Sequence, residues 1–355
     1  MTFRYIAAYF VEGLQSLSEA PILLYEDQDG KKVHLTSHAH EGLDRIATVR
    51  SIAHVILTGM FQGKTGISNE FASQVSTAKE DRIRQYGPNA AFLVAEATHE
   101  QDAASIGQIT PSDDREFYLA WPDGNFKDEI EKRHKPFLDQ SLAFLAFAMP
   151  SVSGFEAVGN CIVADHSRGK PLYVLAPSFG RVRVSVPNPI PAEGPEQYAT
   201  LFRHSAELEQ FQTSFRLSAG SALNARDNLR SFVFAFTALE SFLSKLFSEN
   251  KERLLKKEHL SPKSKAYING IDKSRQDEGR TKDDYPVAYK FVLVASFLGL
   301  DKLDDTIKEF DATVGDRNDI AHGREFAEDA LPVAKVRNWL GELVRLHVVR
   351  VEPHS

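Results

Sequence analysis

The segment Pro187-Asn188-Pro189-Ile190-Pro191-Ala192-Glu193-Gly194-Pro195 constrains this chain more than any other. Four prolines remove backbone donors and push the residues before them out of helix. No regular element can run through it, and the character of the sequence changes across it. Upstream, short runs rich in β-branched and aromatic residues dominate: Phe3–Phe10, Ile22–Tyr25, Lys32–Leu35, Phe92–Ala95, Phe117–Trp121, Cys161–Ala164, Leu172–Leu175 and Arg181–Val186. The last alternates strictly, as a half-buried strand does. Helices are expected at about 127–149 and 42–56. Residues 1–190 therefore read as an α+β domain.

Downstream the period changes to that of helices. Helices are expected at about 196–217, 222–247, 285–298, 303–321 and 333–348, with Pro332 at the first turn of the last. Leu229, Phe232, Val233, Phe236, Leu243 and Phe247 form an apolar stripe at helical spacing. Residues 191–355 read as an all-α bundle with a long charged insertion, about 248–284, between its second and third helices.

Composition limits the function. The net charge of −7 excludes a basic nucleic-acid coat, so any RNA needs a local basic surface. The ten basic residues between 251 and 282 outnumber the five acidic ones there. Lys256, Lys257, Lys263 and Lys265 are the candidates for tracking an RNA backbone, and a mixed solvated loop is the plainer alternative. The single cysteine, Cys161, cannot form an intramolecular disulfide and fits a reducing compartment. The N-terminus lacks the apolar core of a signal peptide, and the longest apolar run, 142–149, is too short to span a bilayer. A cytoplasmic protein with no membrane association is expected.

Arg317-Asn318-Asp319-Ile320-Ala321-His322 carries the chemistry. A guanidinium is a permanent cation with a fixed fork of donors that suits phosphate. An imidazole takes or gives a proton near neutral pH. Asn318 lies four residues before His322, where its amide can orient the ring. Ile307, Phe310, Val314, Arg317 and Ala321 follow one helical stripe, so Arg317 falls where a core residue is expected and needs a partner. Glu240 interrupts the stripe of the second bundle helix in the same way. It is either a carboxylate at the stripe's edge or the partner of Arg317. Gly323 is placed to end the helix in a left-handed cap.

Ala238-Leu239-Glu240 in a long helix, followed by Arg317-Asn318-Asp319-Ile320-Ala321-His322-Gly323, resembles the HEPN superfamily (higher eukaryotes and prokaryotes nucleotide-binding), in particular its Apea-like branch. The resemblance covers about 196–350. It implies a HEPN-like helical bundle, often a homodimer, and in many members a metal-independent endoribonuclease with its R-x4-6-H motif at the dimer seam, acting as a toxin or in antiviral defence. It casts Arg317 as the phosphate-binding cation, Asn318 as the polar residue after it and His322 as the proton-transfer group, with no cofactor and no metal. Glu240, Asp319 and Arg324 are the supporting candidates, with Arg324 either a second phosphate contact or, as the plainer reading, a solvated surface arginine. RNA is the implied substrate, and the first domain is left to answer an unknown trigger or inhibitor. Members silenced by nucleotidyl transfer carry a tyrosine two residues after the histidine; Arg324 stands there instead, so that antidote is not expected. A non-catalytic dimerisation, RNA-binding or nucleotide-binding bundle is the alternative.

Other patterns are weaker. Gly59–Thr65 imitates a phosphate loop, but the Walker register needs glycine at position 58, which is Thr58. His34, His38, His40 and Glu41 cluster near a strand end, and His38 and His40 share a face if extended. Surface histidines are the default there, and zinc is the minor reading. His134, beside Arg133, reads as exposed.

Overall fold

The computed structural model describes residues 1–16, 20–61, 78, 80–100, 106–112, 117–122, 126–166, 169–175, 188–189, 191–277 and 285–351. The chain forms two compact units, Met1–Leu142 with Ser151–Ala199, and Ala143–Pro150 with Thr200–Ser355. The division thus falls after 199 rather than after 190, and 143–150 joins the second unit.

The first unit is built on a mixed sheet. Its strands are β1 (Thr2–Gln15), β2 (Ile22–Glu26), β3 (Lys32–Thr36), β4 (Ala90–Glu100), β5 (Gln108–Pro111), β6 (Tyr118–Trp121), β7 (Gly154–Asp165), β8 (Pro171–Val174) and β9 (Asn188–Pro189). They run in the order β2-β3-β4-β1-β7-β8-β6-β5, with β9 beside the end of β1. β6 lies parallel to β8 and β9 parallel to β1; the other pairs are antiparallel. β1 is hydrogen-bonded on both edges and covered on both faces. On one face Ile6, Ala8 and Phe10 pack with Leu43, Ile46, Val49 and Ile52 of helix α1 (Glu41–Phe61). On the other, Phe3 meets Phe126 edge-on at 5.8 Å and Tyr5 stacks on His134 at 5.7 Å, both partners lying on helix α2 (Phe126–Ala148). Two-sided burial is why β1 reads as a nearly unbroken apolar run rather than an alternation. The register against β4 shifts between Phe10 and Gln15, around Gly13, whose φ of +91° and whose approach to the Ser151 carbonyl leave no space for a Cβ.

β5 is an edge strand of four residues that the sequence pattern did not indicate. The expected strand 181–186 lies outside the described residues, as do 62–65 of the imitation phosphate loop; 59–61 are the end of α1.

The second unit is helical. It takes up the end of α3 (Gly194–Arg203), from Thr200 on, and holds α4 (Ser205–Leu208), a 3-10 turn (Glu209–Phe211), α5 (Gln212–Leu223), α6 (Asn228–Leu254), α7 (Pro262–Asp277), α8 (Val287–Leu298), α9 (Leu303–Ala321), a 3-10 turn (Glu328–Ala330) and α10 (Val333–Val351). The single helix expected over 196–217 is broken. His204 and Phe211 leave helical geometry, and the tighter turn between them buries Leu208 and Phe211. α6 starts later than expected because Asp227 caps it, accepting the Arg230 amide at 2.7 Å. The expected charged loop is a correction as well. α6 runs on to Leu254, and α7 forms from 262 to 277 with Ser264 and Ile268 buried.

By length and composition α6 is the one described helix that could cross a membrane, with mean hydropathy 1.2 over 18 residues; 56% of that window is buried in the unit. α6 packs against α5, α8 and α10. The end of α2 joins this core, where Phe144 meets Phe202 at 4.9 Å and Phe215 at 5.2 Å. Around α9, Phe310 lies flat on Phe291 with centroids 3.8 Å apart, and Trp339 sits 5.4 Å from Phe310. Phe310→Ala should therefore lower stability by about 3–5 kcal/mol. The readout is the denaturant midpoint followed by Trp339 fluorescence; an unchanged midpoint would contradict this packing.

Candidate functional site

α9 places most of the candidate residues. It follows Lys302, which is left-handed at φ 54°, and carries Asp304 and Asp305 in its first turn, where they oppose the positive end of the helix dipole. Asp304 accepts from the hydroxyls of Ser264 (2.7 Å) and Ser261 (2.8 Å), and these bonds hold its carboxyl below the usual range. The helix buries Leu303, Ile307, Phe310 and Thr313. There the buried face stops. Val314 is half-buried, and Arg317 and Ala321 are exposed. This corrects the expectation that Arg317 fills a core slot. Asn318, Asp319 and Ile320 are half-buried and residues 321–330 are exposed throughout, so among the described residues the end of the stripe is not sealed into the core.

The helix closes in a Schellman turn. The Arg324 amide donates to the Asp319 carbonyl at 2.9 Å and the Gly323 amide to the Ile320 carbonyl at 3.2 Å. Gly323 supplies the left-handed residue, φ 64°, that the sequence called for. His322 is the capping residue, its own amide bonded to the Asn318 carbonyl at 2.9 Å. Its ring stands in solvent at the negative end of the helix dipole. Among the described residues nothing hydrogen-bonds or ion-pairs with it.

The side chains form two linked groups. Arg317 Nη2 lies 3.8 Å from Glu240 Oε2 on α6, and Arg317 Nη1 donates to Asn318 Oδ1 at 3.3 Å. Arg324 pairs with Asp319 at 3.2 Å. The expected contact between the Asn318 amide and the His322 ring is replaced, because the amide oxygen faces the guanidinium. Burial, and then the neighbouring Asp319, raise the Asp316 carboxyl on the same turn. The surface thus offers one cationic fork, lightly held by a carboxylate and an amide, and one unengaged imidazole. A phosphate can compete for such a fork, since exposed ion pairs hold weakly.

The four lysines separate. Lys257, left-handed at φ 58°, bonds Asn269 at 3.1 Å and Asp272 at 2.5 Å, stapling α7 to the end of α6. Lys263 faces Asp305 at 3.7 Å. Lys256 and Lys265 are exposed. The N-terminal histidines separate too. Residues 37–40 are not strand, so His38 and His40 do not share a face. His38 is buried against Phe92 with its Nε2 2.8 Å from the Gly87 carbonyl. Glu41 is held by Arg45 at 2.7 Å. The His34 and His40 rings lie 4.9 Å apart, and the residue that joins them is Glu96, which no local pattern singled out. These three could hold a metal. His134 is buried, not exposed; burial first, then His99, Arg133 and Lys31, pull it down to about 4.

No family model matches this sequence, and neither a curated protein nor a solved structure is found similar to it.

The Glu240–Arg317 pair is 37% and 44% exposed on its two sides. Glu240→Gln should therefore change stability by less than about 1 kcal/mol. A thermal midpoint several degrees lower would mean that the pair is structural.

Proposed function

We propose that the chain is a metal-independent endoribonuclease of HEPN type, working in the cytoplasm as a homodimer of its helical unit. The observation that supports this most is the exposed end of α9. It presents Arg317 and His322 within one helix terminus, and Glu240 and Asn318 hold the guanidinium from two sides.

The chemistry needs no cofactor. The ribose 2′-OH is the nucleophile. A base removes its proton, the crowded phosphate takes on charge, and an acid protonates the departing 5′-oxygen. Arg317 would neutralise the phosphate, with Arg324 beside it as a second cation. One imidazole cannot easily serve as base and acid in the same turnover. Two copies related by a two-fold axis supply one of each. The products are a 2′,3′-cyclic phosphate and a 5′-hydroxyl. Lys256 and Lys265 remain as backbone contacts, while Lys257 and Lys263 are engaged with acids of their own unit. The sheet-based unit would answer a trigger or inhibitor, in antiviral defence or toxin-type growth control.

Purified protein incubated with mixed RNA in chelator should generate cyclic-phosphate ends. Arg317→Ala and His322→Ala should each reduce the rate by about 10²–10⁴-fold with dimer and fold retained. Activity that survives either change, or that vanishes in chelator, sinks the mechanism. A second reading, a bundle that binds RNA or nucleotide without cutting it, is favoured by one feature: Arg317 already has two partners. RNA retained by the wild type in a filter assay, with every strand intact, would establish it.

A further inference from the structure

In the sheet unit, His34 on β3, His40 before α1 and Glu96 on β4 bring three potential ligand atoms within 4.8 Å of one another. The strand register accounts for two of them. Lys32 pairs with Glu96 and His34 with Val94, so His34 and Glu96 are diagonal neighbours on one face of the sheet. His40 arrives from the loop ahead of α1, and that loop is held firmly. His38 is tied to the Gly87 carbonyl. Arg82, itself buried, donates to the carbonyls of His38 (3.3 Å) and Leu43 (3.1 Å) and pairs with Asp44 at 2.9 Å. Gly42 gives the His40 ring its place: a Cβ there would stand 3.1 Å from Nδ1 and 2.9 Å from the Val94 side chain.

We propose that His34, His40 and Glu96 form a binding site for a divalent first-row transition ion, with zinc as the best-matched class. Two imidazoles and one carboxylate are a zinc donor set, whereas magnesium and calcium take oxygen. His34 Nδ1 is buried with no hydrogen-bond partner, a cost that a metal bond removes. Ligands on one zinc at about 2.1 Å stand roughly 3.4 Å apart, so the trio closes by up to about 1.4 Å through side-chain rotation. The cations nearby already have carboxylates: Arg4 and Arg45 share Glu41, and Lys32 holds Glu26 at 2.7 Å.

Protons do not compete strongly for the nitrogens. Burial, then Lys32, lowers His34; burial, then His34, takes His40 to about 4. Burial thus favours the neutral, metal-binding form of both rings. The His40 lone pair now accepts the Gly42 amide at 3.0 Å. A neutral imidazole has only one, so the ion displaces this helix-cap contact and gains a metal–nitrogen bond in exchange. His40 also lines an open cleft of about 540 Å³ with Arg45, Thr48 and Tyr173. Three protein ligands leave a coordination position for water or a small anion on that side. This site is separate from Arg317 and His322 and does not rest on the ribonuclease reading.

The test uses the full chain, stripped with chelator and dialysed against zinc chloride. One zinc should bind per chain and raise the melting temperature. Cobalt in its place should give the visible absorption of a four- or five-coordinate N/O site. Glu96→Gln and His34→Gln should each weaken zinc binding by at least about tenfold and abolish the thermal shift. Burial already raises the Glu96 carboxyl, so the Gln variant should fold at least as stably without metal. If wild type and Glu96→Gln melt alike without zinc and then bind it equally, the site does not exist.

Discussion

The aromatic contact of Phe310 with Phe291, Phe236 and Trp339 decides what the helical unit can present to its surroundings. It anchors the middle of α9. Burial ends one turn later, at Thr313, and the rest of the helix runs out over a segment that is exposed from 321 to 330. Because the helix is rigid, an anchored middle fixes the direction of its free end. Arg317, Asn318 and His322 are thereby displayed on regular structure and not on a mobile loop, which is how a reactive pair keeps its geometry. Glu240 takes part for the same reason. It sits on α6, whose opposite face is buried from Phe232 to Phe247, so its position is set by that core.

The sheet unit uses a parallel device. β1 is flanked on both edges and covered on both faces, which makes it the least adjustable element of that unit. β4 is registered against β1 and β3 against β4. His34 and Glu96 inherit their spacing from that register, and the buried guanidinium of Arg82 brings the His38–His40 loop down beside them. A buried cation with three acceptors is costly to disturb. Cys161, on the neighbouring β7, is sealed in the same core, where burial pushes its thiol up to about 12 and leaves it chemically quiet.

Much of the fold was legible because hydrophobic periodicity is local. α9 begins and ends where its pattern does, at Leu303 and Ala321, and the glycine after it adopts the left-handed cap that its lack of a side chain permits. The errors also have local causes. Asp227 caps α6 and shortens it, a signal that the apolar run beginning at Ala222 hid. The polar stretch after Leu254 resembled loop because α7 buries only two of its residues, Ser264 and Ile268. β5 was too short to show a period.

Residue types and their spacing along the chain settled on their own where many of the helices and strands would form, and that an arginine and a histidine share one helix end. Such properties depend on neighbours within a turn or two. Whether Arg317 is buried, which group takes the Asn318 oxygen, and that His40 meets Glu96 while His38 turns away were decided only by the assembled structure. Those outcomes depend on atoms distant in sequence. The end of a helix is exposed or covered according to what packs beside it, and side chains fifty-six residues apart meet only when strand register and a pinned loop bring them together.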